Sequence, residues 1–260
     1  MSHSNKRKIA QLERMASGRR AGGLSDVWHR MKKNKPAMAG LVIITIFILA
    51  AIFADLIADF DTLVVAQNTA IRLQPPNAQH WFGTDGYGRD IFARVVHGAR
   101  VSLSIAFLTT AVSSLAGGLL GSAAGYYGGK VDNIIMRIID TIMCLPPMLF
   151  SLSIVAALGA GMRNLIIAVS VTMTPYFTRV VRASILTVVG SDYVEAARSC
   201  GAGDARIILR HIIPNAIGPV IVQATMSVSF MIMLAAGLSF IGLGVQPPMP
   251  EWGAMLSEGR

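Results

Sequence analysis

Charged residues are scarce in this sequence: Asp, Glu, Lys and Arg make up 14% of its 260 residues, whereas soluble domains carry roughly 25%. Hydrophobic residues make up 53%, and the shortage of charge is concentrated in a few long uncharged runs. Such runs are typical of helices that cross a bilayer, because a helix satisfies its own backbone hydrogen bonds in lipid. The composition excludes an ordinary soluble domain and predicts an all-α integral membrane protein.

Cysteine is nearly absent as well. Cys144 and Cys200 lie far apart in the chain, which excludes a disulfide scaffold and a zinc site built on paired cysteines. We therefore expect two free thiols. The five histidines are scattered along the chain, so the sequence predicts no metal site.

Catalytic signatures are also missing, since neither HExxH nor GxSxG occurs. The run GYYGGKVD at 125–132 has its glycines one residue too close for a phosphate-binding loop, and valine follows its lysine where Ser or Thr is needed. The run GTDGYGRD at 83–90 follows no predicted strand, which argues against a dinucleotide site. The sequence thus predicts neither an enzyme nor a bound cofactor.

Long uncharged runs are what the sequence has instead. The first, residues 36–54, spans about 28 Å as a helix, close to the thickness of one hydrocarbon core. The fourth is short but continues past two arginines that can reach the interface, and prolines interrupt the fifth. The sequence predicts five transmembrane helices. The first is the run at 36–54, and the other four lie at 101–129, 141–162, 164–178 and 212–250.

The distribution of basic residues predicts the orientation. Residues 1–36 hold ten Lys and Arg, and basic residues favour the cytoplasmic side. With the N-terminus inside, 17 Lys and Arg fall in cytoplasmic segments and five outside. We therefore interpret the net charge of +9 as a signal for membrane orientation rather than for nucleic-acid binding, with anionic lipid headgroups as a further contact.

One charged pair lies at the edge of an apolar run. Arg137 and Asp140 are three residues apart and can pair on one helix face. Two readings stay open: a proton relay inside the membrane, or an ion pair at the cytoplasmic interface.

Residues 192–216 break the apolar pattern with a polar segment, DYVEAARSCGAGDARIILRHIIPNA. Asp192 is a good N-cap, with Glu195 completing a capping-box-like pair. Gly201 suits the left-handed residue that ends a helix. Asp204 is expected to cap a second helix, which Pro214 stops or redirects. The pattern predicts a short helix, a glycine turn and a second helix on the cytoplasmic side.

The short helix has a small-residue face. Ala196 and Ala197 would let a partner groove approach its backbone, while Asp192, Glu195 and Arg198 would set the register by charge pairing. The alternative is a loop that rests on its own membrane domain. A helix of two turns is marginal alone, so either reading requires something for it to pack against.

The polar segment resembles the EAA loop of permease subunits of binding-protein-dependent ABC importers. That loop reads E-A-A, three residues, G, nine residues, then I-x-L-P. His211 and Ile213 depart from the pattern, and Cys200 precedes the glycine. The matching residues are Glu195, Ala196, Ala197, Gly201 and Pro214.

Four separated blocks narrow the resemblance to the peptide/nickel branch, and specifically to the second permease of dipeptide and oligopeptide importers. The blocks lie at 80–103, 125–149, 193–216 and 238–256, within a similarity that covers residues 28–260.

The resemblance implies a type I ABC importer permease in a bacterial inner membrane. The implied partners are a second homologous permease, two cytoplasmic ATPases that bind ATP and magnesium, and an external solute-binding protein. The implied cargo is a di- or oligopeptide or a related small solute, with nickel chelates and glutathione-like peptides as other choices. The competing class is a channel or ion-coupled carrier that works without an ATPase.

The resemblance also assigns regions and roles. The chain divides into a basic cytoplasmic tail (1–35), a first transmembrane helix (36–58), an external loop (59–100) that can contact the binding protein, and a permease core (101–260) with a coupling loop at 187–214. The implied ATPase-coupling residues are Asp192, Glu195, Ala196, Ala197, Arg198, Gly201 and Pro214.

Polar residues that interrupt apolar helices are candidates to line the translocation path. The alternative is that they bond backbone carbonyls. The candidates are Ser151, Thr172, Thr174, Tyr176, Gln223 and Ser227.

The family resembled here usually carries a sixth helix and a charged tail after the PPMPEWG loop. This sequence stops at Arg260, so we expect a truncated chain, with an intact five-helix variant as the alternative.

Overall fold

A computed structural model describes residues 24–259 and shows an all-α architecture there. The residues it describes form no strand and only one isolated bridge, between Thr84 and Asp90. The predicted fold class is thus confirmed. The chain divides into two compact units, residues 1–49 and 50–260.

Eleven α-helices occur in the described part of the chain. Single π-helical turns at Phe60–Val65 and Ile208–Ile212 and a 3₁₀ turn at Thr69–Ile71 supplement them. In chain order the helices are α1 Leu24–Lys33, α2 Lys35–Ile52, α3 Ala54–Ile57, α4 Ile91–Tyr127, α5 Gly129–Met143, α6 Pro147–Leu158, α7 Met162–Leu186, α8 Asp192–Ser199, α9 Asp204–Ile207, α10 Ile213–Phe240 and α11 Trp252–Glu258.

Four helical stretches within residues 24–259 are long and apolar enough to cross a bilayer. They are α2, α4, α7 and the continuous stretch Asp204–Phe240. The α5–α6 pair makes a fifth if it is counted as one span. The prediction of five spans is confirmed in that sense.

The start of α4 differs from the prediction. We expected residues 91–100 to belong to the external loop, but they form the first ten residues of a 37-residue helix. The helix begins after Asp90, whose side chain accepts a hydrogen bond from the amide of Ala93 at 2.7 Å. Charge marked a different boundary because Arg94, early in the helix, is buried and paired with acidic neighbours rather than placed in water.

The third predicted span, 141–162, is not one straight helix. α5 and α6 meet at an angle of 90° across residues 144–146. Pro146 and Pro147 explain the break, since neither can donate the backbone hydrogen bond that a continuing helix needs. Pro147 is instead the first residue of α6, a position that proline favours.

The core of the bundle lies between α4, α6, α7 and α10, where apolar residues such as Ile105, Val155, Leu165 and Met231 are fully buried. The α4–α7 contact is exceptionally close. A Cβ added to Gly117 would lie 2.5 Å from the Cβ of Phe177, and one added to Gly121 would lie 2.6 Å from the Thr178 carbonyl oxygen. The small residues of α4 thus let two backbones touch, as is typical of membrane helices.

Two buried arginines tie the segment around the start of α4 to α11. The Nε of Arg89 and the Nη1 of Arg94 each lie 2.7 Å from Asp85. Both guanidiniums also contact Glu258 at 2.6 Å. We call these four residues the Asp85 ionic cluster. Sequence reasoning missed Glu258, because it lies 164 residues from Arg94 in the chain.

Candidate functional site

The polar segment forms the helix–turn–helix that the sequence predicts. α8 covers Asp192–Ser199, and Gly201 follows with a φ of +78°. The amide of Ala202 then donates to the carbonyl of Ala197 at 3.1 Å, which closes the helix end. A left-handed residue at this position is the usual way to end a helix, and glycine takes it without steric cost.

The predicted helix caps are wrong by one residue. Ser191, not Asp192, has the extended backbone of an N-cap, and its hydroxyl donates to the Val188 carbonyl instead of capping the helix. Asp192 and Glu195 therefore lie in the first turn, where carboxylates interact favourably with the helix dipole. Similarly, Gly203 is the N-cap of α9 and Asp204 is its first residue.

Pro214 neither stops nor redirects the second helix, contrary to the prediction. The helical stretch runs continuously from α9 through the π-helical turn Ile208–Ile212 into α10. Pro214 lies in the first turn of α10. The wider π turn just before it accommodates the missing amide, which would otherwise break the i to i−4 bonding of an α-helix.

One side of α8 faces its own chain. Val194 is fully buried, and Ala197 is half-buried. Both pack on an apolar cluster formed by the end of α7 and the start of the next helical stretch. Ala197 thus packs partly against its own chain, and a docking role for the two alanines stays a prediction. The exposed members of the predicted set are Asp192, Glu195, Ala196, Arg198, Gly201 and Pro214.

Tyr126, near the end of α4, also contacts this segment and was missed in the sequence. Its hydroxyl donates a hydrogen bond to Asp204 at 2.7 Å, and the Arg198 guanidinium lies over its ring, 5.6 Å from the centroid. The Tyr126 hydroxyl raises the pKa of the Arg198 guanidinium, and the carboxylates of Asp204 and Glu195 act in the same direction. The only sequence signal was a tyrosine at a helix end, because Asp204 lies 78 residues away.

Two ion pairs join α5 to α7. Arg182 binds both carboxylate oxygens of Asp132, at 2.5 and 2.6 Å, and Arg179 lies 2.5 Å from Asp140. The sequence suggested that Asp140 can pair with Arg137, but Asp140 pairs with Arg179 of a different helix. The bidentate pair of Arg182 and Asp132 fixes orientation as well as distance.

The predicted path residues form two hydrogen-bonded pairs, while the other two have separate contacts. Ser151 donates to Thr172 at 2.9 Å inside the bundle, and Gln223 donates to Ser227 at 3.2 Å on α10. The Thr174 hydroxyl bonds the Ser170 carbonyl of its own helix, and Tyr176 is half-buried. Ser151 and Thr172 thus bond α6 to α7, and a role in lining a path stays a prediction for all six.

Residues 24–259 contain no group of three or more His, Cys, Asp and Glu that could hold a metal ion. Both cysteines are free and exposed, as predicted. α8 itself offers an exposed, charged helix edge whose other side packs on the bundle.

Comparisons with known proteins agree with this geometry. The family model described as "Binding-protein-dependent transport system inner membrane component" matches residues 117–260, more than half of the chain. A second, "N-terminal TM domain of oligopeptide transport permease C", matches residues 24–76.

Curated relatives are similar over most of their length. The dipeptide transport system permease protein DppC of Alkalihalophilus pseudofirmus is 45% identical over 90% of this chain and 77% of its own. The glutathione transport system permease protein GsiD of Pectobacterium atrosepticum is 39% identical over 90% and 78%. The di/tripeptide transport system permease protein DppC of Pseudomonas aeruginosa is 40% identical over 91% and 80%.

A solved structure supports the fold. The inward-facing MetNI methionine ABC transporter has a chain that aligns with a TM-score of 0.52 and 19% identity, covering 58% of this chain and 76% of that one. The helix bundle agrees with the family match. The chain belongs to the family of inner-membrane components of binding-protein-dependent transport systems.

Proposed function

We propose that the chain is a membrane-embedded permease subunit of an ATP-driven importer of short peptides. It works beside a second, homologous permease, with two ATPases on the cytoplasmic side and a solute-binding protein outside. The observation that carries the proposal is α8, whose exposed edge is charged while Val194 and Ala197 fix its other side to the bundle. The names of the three relatives above point to di- and tripeptides and glutathione as cargo.

The proposed mechanism is mechanical. The ATPases bind ATP and magnesium and, on closing, push the exposed edge formed by Asp192, Glu195 and Ala196. Because α8 packs on the end of α7 and on the start of the Asp204–Phe240 stretch, the push tilts those two helices together. The bundle then alternates between outward and inward access, while this chain itself performs no chemistry.

The proposed orientation places the N-terminus and the coupling loop in the cytoplasm. Ten basic residues in the first 36 support it, because basic residues favour the cytoplasmic side. The external loop then faces the binding protein.

The complex can be tested as a whole. Proteoliposomes that contain both permeases and the ATPase pair, supplied with binding protein, should accumulate labelled dipeptide, tripeptide or glutathione only with ATP. Nickel chelate as the only transported solute would overturn the peptide assignment. Flux through this chain alone, without ATP, would instead establish a channel or carrier.

Reversing the charge of Glu195 should disable coupling. Glu195→Lys is expected to lower ATP-dependent uptake at least about tenfold, the effect of losing one charge-assisted interface contact. Co-purification should show weaker ATPase binding at an unchanged amount of membrane-inserted chain. Asp61→Lys makes the same charge change at an exposed position outside α8 and should leave co-purification with the ATPases unchanged; equally weak ATPase binding in both variants would contradict the assignment.

The external loop presents exposed aromatic side chains. Trp81 is 65% exposed and stacks on Phe92, with ring centroids 5.0 Å apart. Because exposed aromatics are frequent anchors of protein interfaces, Trp81→Ala should weaken stimulation of ATP hydrolysis by the binding protein by roughly tenfold in half-maximal concentration. Hydrolysis without binding protein should not change. An unaltered titration curve would remove this loop from the docking surface.

A further inference from the structure

Tyr126 connects three elements at one point. It lies one residue before the end of α4. Its two polar partners lie on either side of the Gly201–Gly203 turn: Arg198 belongs to α8, and Asp204 begins α9. Residues 192–207 are called the coupling segment. The Tyr126 side chain therefore joins both arms of the coupling segment to a helix that is not adjacent to it in the chain.

The ring is held in place by its surroundings. Tyr126 is half-buried and packs against the apolar cluster that also holds Val194 and Ile207. A tyrosine has only two rotatable side-chain bonds, so a packed ring leaves its hydroxyl little freedom. The hydrogen bond to Asp204 thus fixes a direction, which the non-directional apolar contacts of Val194 and Ala197 do not.

The helix that carries Tyr126 cannot move independently of its neighbour. Gly117 and Gly121 bring α4 into backbone contact with α7, and α4 runs without interruption for 37 residues. At 1.5 Å per residue its length is about 55 Å. A displacement received at Tyr126 is therefore passed along a long helix that is packed tightly against α7.

We propose that Tyr126 is a positioning residue for coupling, which fastens the coupling segment to α4 so that α8 and the bundle move as one body. This inference rests on the proposed function and adds a residue outside the coupling segment. Without the hydroxyl, α8 keeps the apolar contacts of Val194 and Ala197 but can rotate about them when the ATPases push. ATP is then hydrolysed with less movement of the bundle.

The decisive measurement is the number of solute molecules taken up per ATP hydrolysed by the complete reconstituted importer. Tyr126→Phe keeps the ring beneath Arg198 but removes the hydroxyl and its hydrogen bond to Asp204. We expect the ratio to fall roughly fivefold, as for loss of one hydrogen bond of ordinary net strength, with the ATPase pair still co-purifying. Tyr127→Phe is the matched control, since Tyr127 is exposed and its hydroxyl has no hydrogen bond within residues 24–259.

A double variant separates the bond from general damage. Asp204→Ala should lower the ratio to a similar extent, and Tyr126→Phe with Asp204→Ala should be no worse than either change alone. A wild-type ratio for Tyr126→Phe, an equal loss for Tyr127→Phe, or additive losses in the double variant would each overturn the inference. Failure of the wild-type chain to assemble with the ATPases would instead overturn the proposed function.

Discussion

Asp85→Asn should destabilise the fold by about 3–5 kcal/mol, the usual cost of removing one partner of a buried ion pair. The side chains of Arg89 and Arg94 are each only 3% exposed, and both depend on the carboxylates of Asp85 and Glu258. Asparagine keeps the shape of Asp85 but leaves two buried guanidiniums with one carboxylate. Thermal unfolding in detergent measures the change.

The pH dependence of this cluster follows from Asp85. Burial acts to raise the pKa of its carboxyl, but the amides of Arg89 and Tyr87 and the Arg89 guanidinium outweigh burial, so the pKa is lowered. A carboxylate with a lowered pKa stabilises the fold above its ordinary value of about 3.9 and loses that contribution as the pH falls through the lowered value. The loss on Asp85→Asn should therefore be undiminished at neutral pH.

A matched carboxylate provides the control. Asp61 is exposed, so Asp61→Asn should change stability by less than about 0.5 kcal/mol. If Asp85→Asn were equally mild, the Asp85 ionic cluster would contribute little to the fold.

Gly117→Leu should prevent α4 from packing on α7. The new Cβ alone would lie 2.5 Å from the Phe177 Cβ and 2.8 Å from the Thr178 amide nitrogen, and neither atom can move without moving α7. We expect a destabilisation of more than about 3 kcal/mol, at the upper end for overpacked sites. The amount of folded, monodisperse chain after extraction from membranes measures it.

The neighbouring glycine gives a direct comparison. A Cβ on Gly118 meets no atom within 4 Å, so Gly118→Leu should be neutral or stabilise α4 by up to about 1 kcal/mol through better helix propensity. Similar damage from both substitutions would show that side-chain bulk on this helix matters regardless of its direction, which contradicts close backbone packing.

Sequence patterns predicted what local chemistry controls. The apolar runs located the spans, and Gly201 predicted a left-handed helix end, because lipid thickness and backbone sterics leave few alternatives. The caps at Ser191 and Gly203 were missed by one residue, since Asp at a helix start suits the N-cap and the first turn about equally.

Long-range contacts set the rest of the site. Tyr126 meets Asp204, and Arg94 meets Glu258, only because the bundle brings distant segments together. The partial burial of Ala197 was also missed, because nothing near it in the sequence shows which side of α8 faces the apolar cluster. The break between α5 and α6 did have a local signal, the pair Pro146 and Pro147, but the apolar run around it concealed the change of direction.

That right-angle break limits the length of straight apolar helix. α6 has 12 residues and rises about 18 Å along its axis, little more than half of a hydrocarbon core of about 30 Å. α4 and α7, with 37 and 25 residues, are each long enough to cross such a core alone. Since α5 lies at 90° to α6, no single straight helix between residues 129 and 158 is as long as the core is thick.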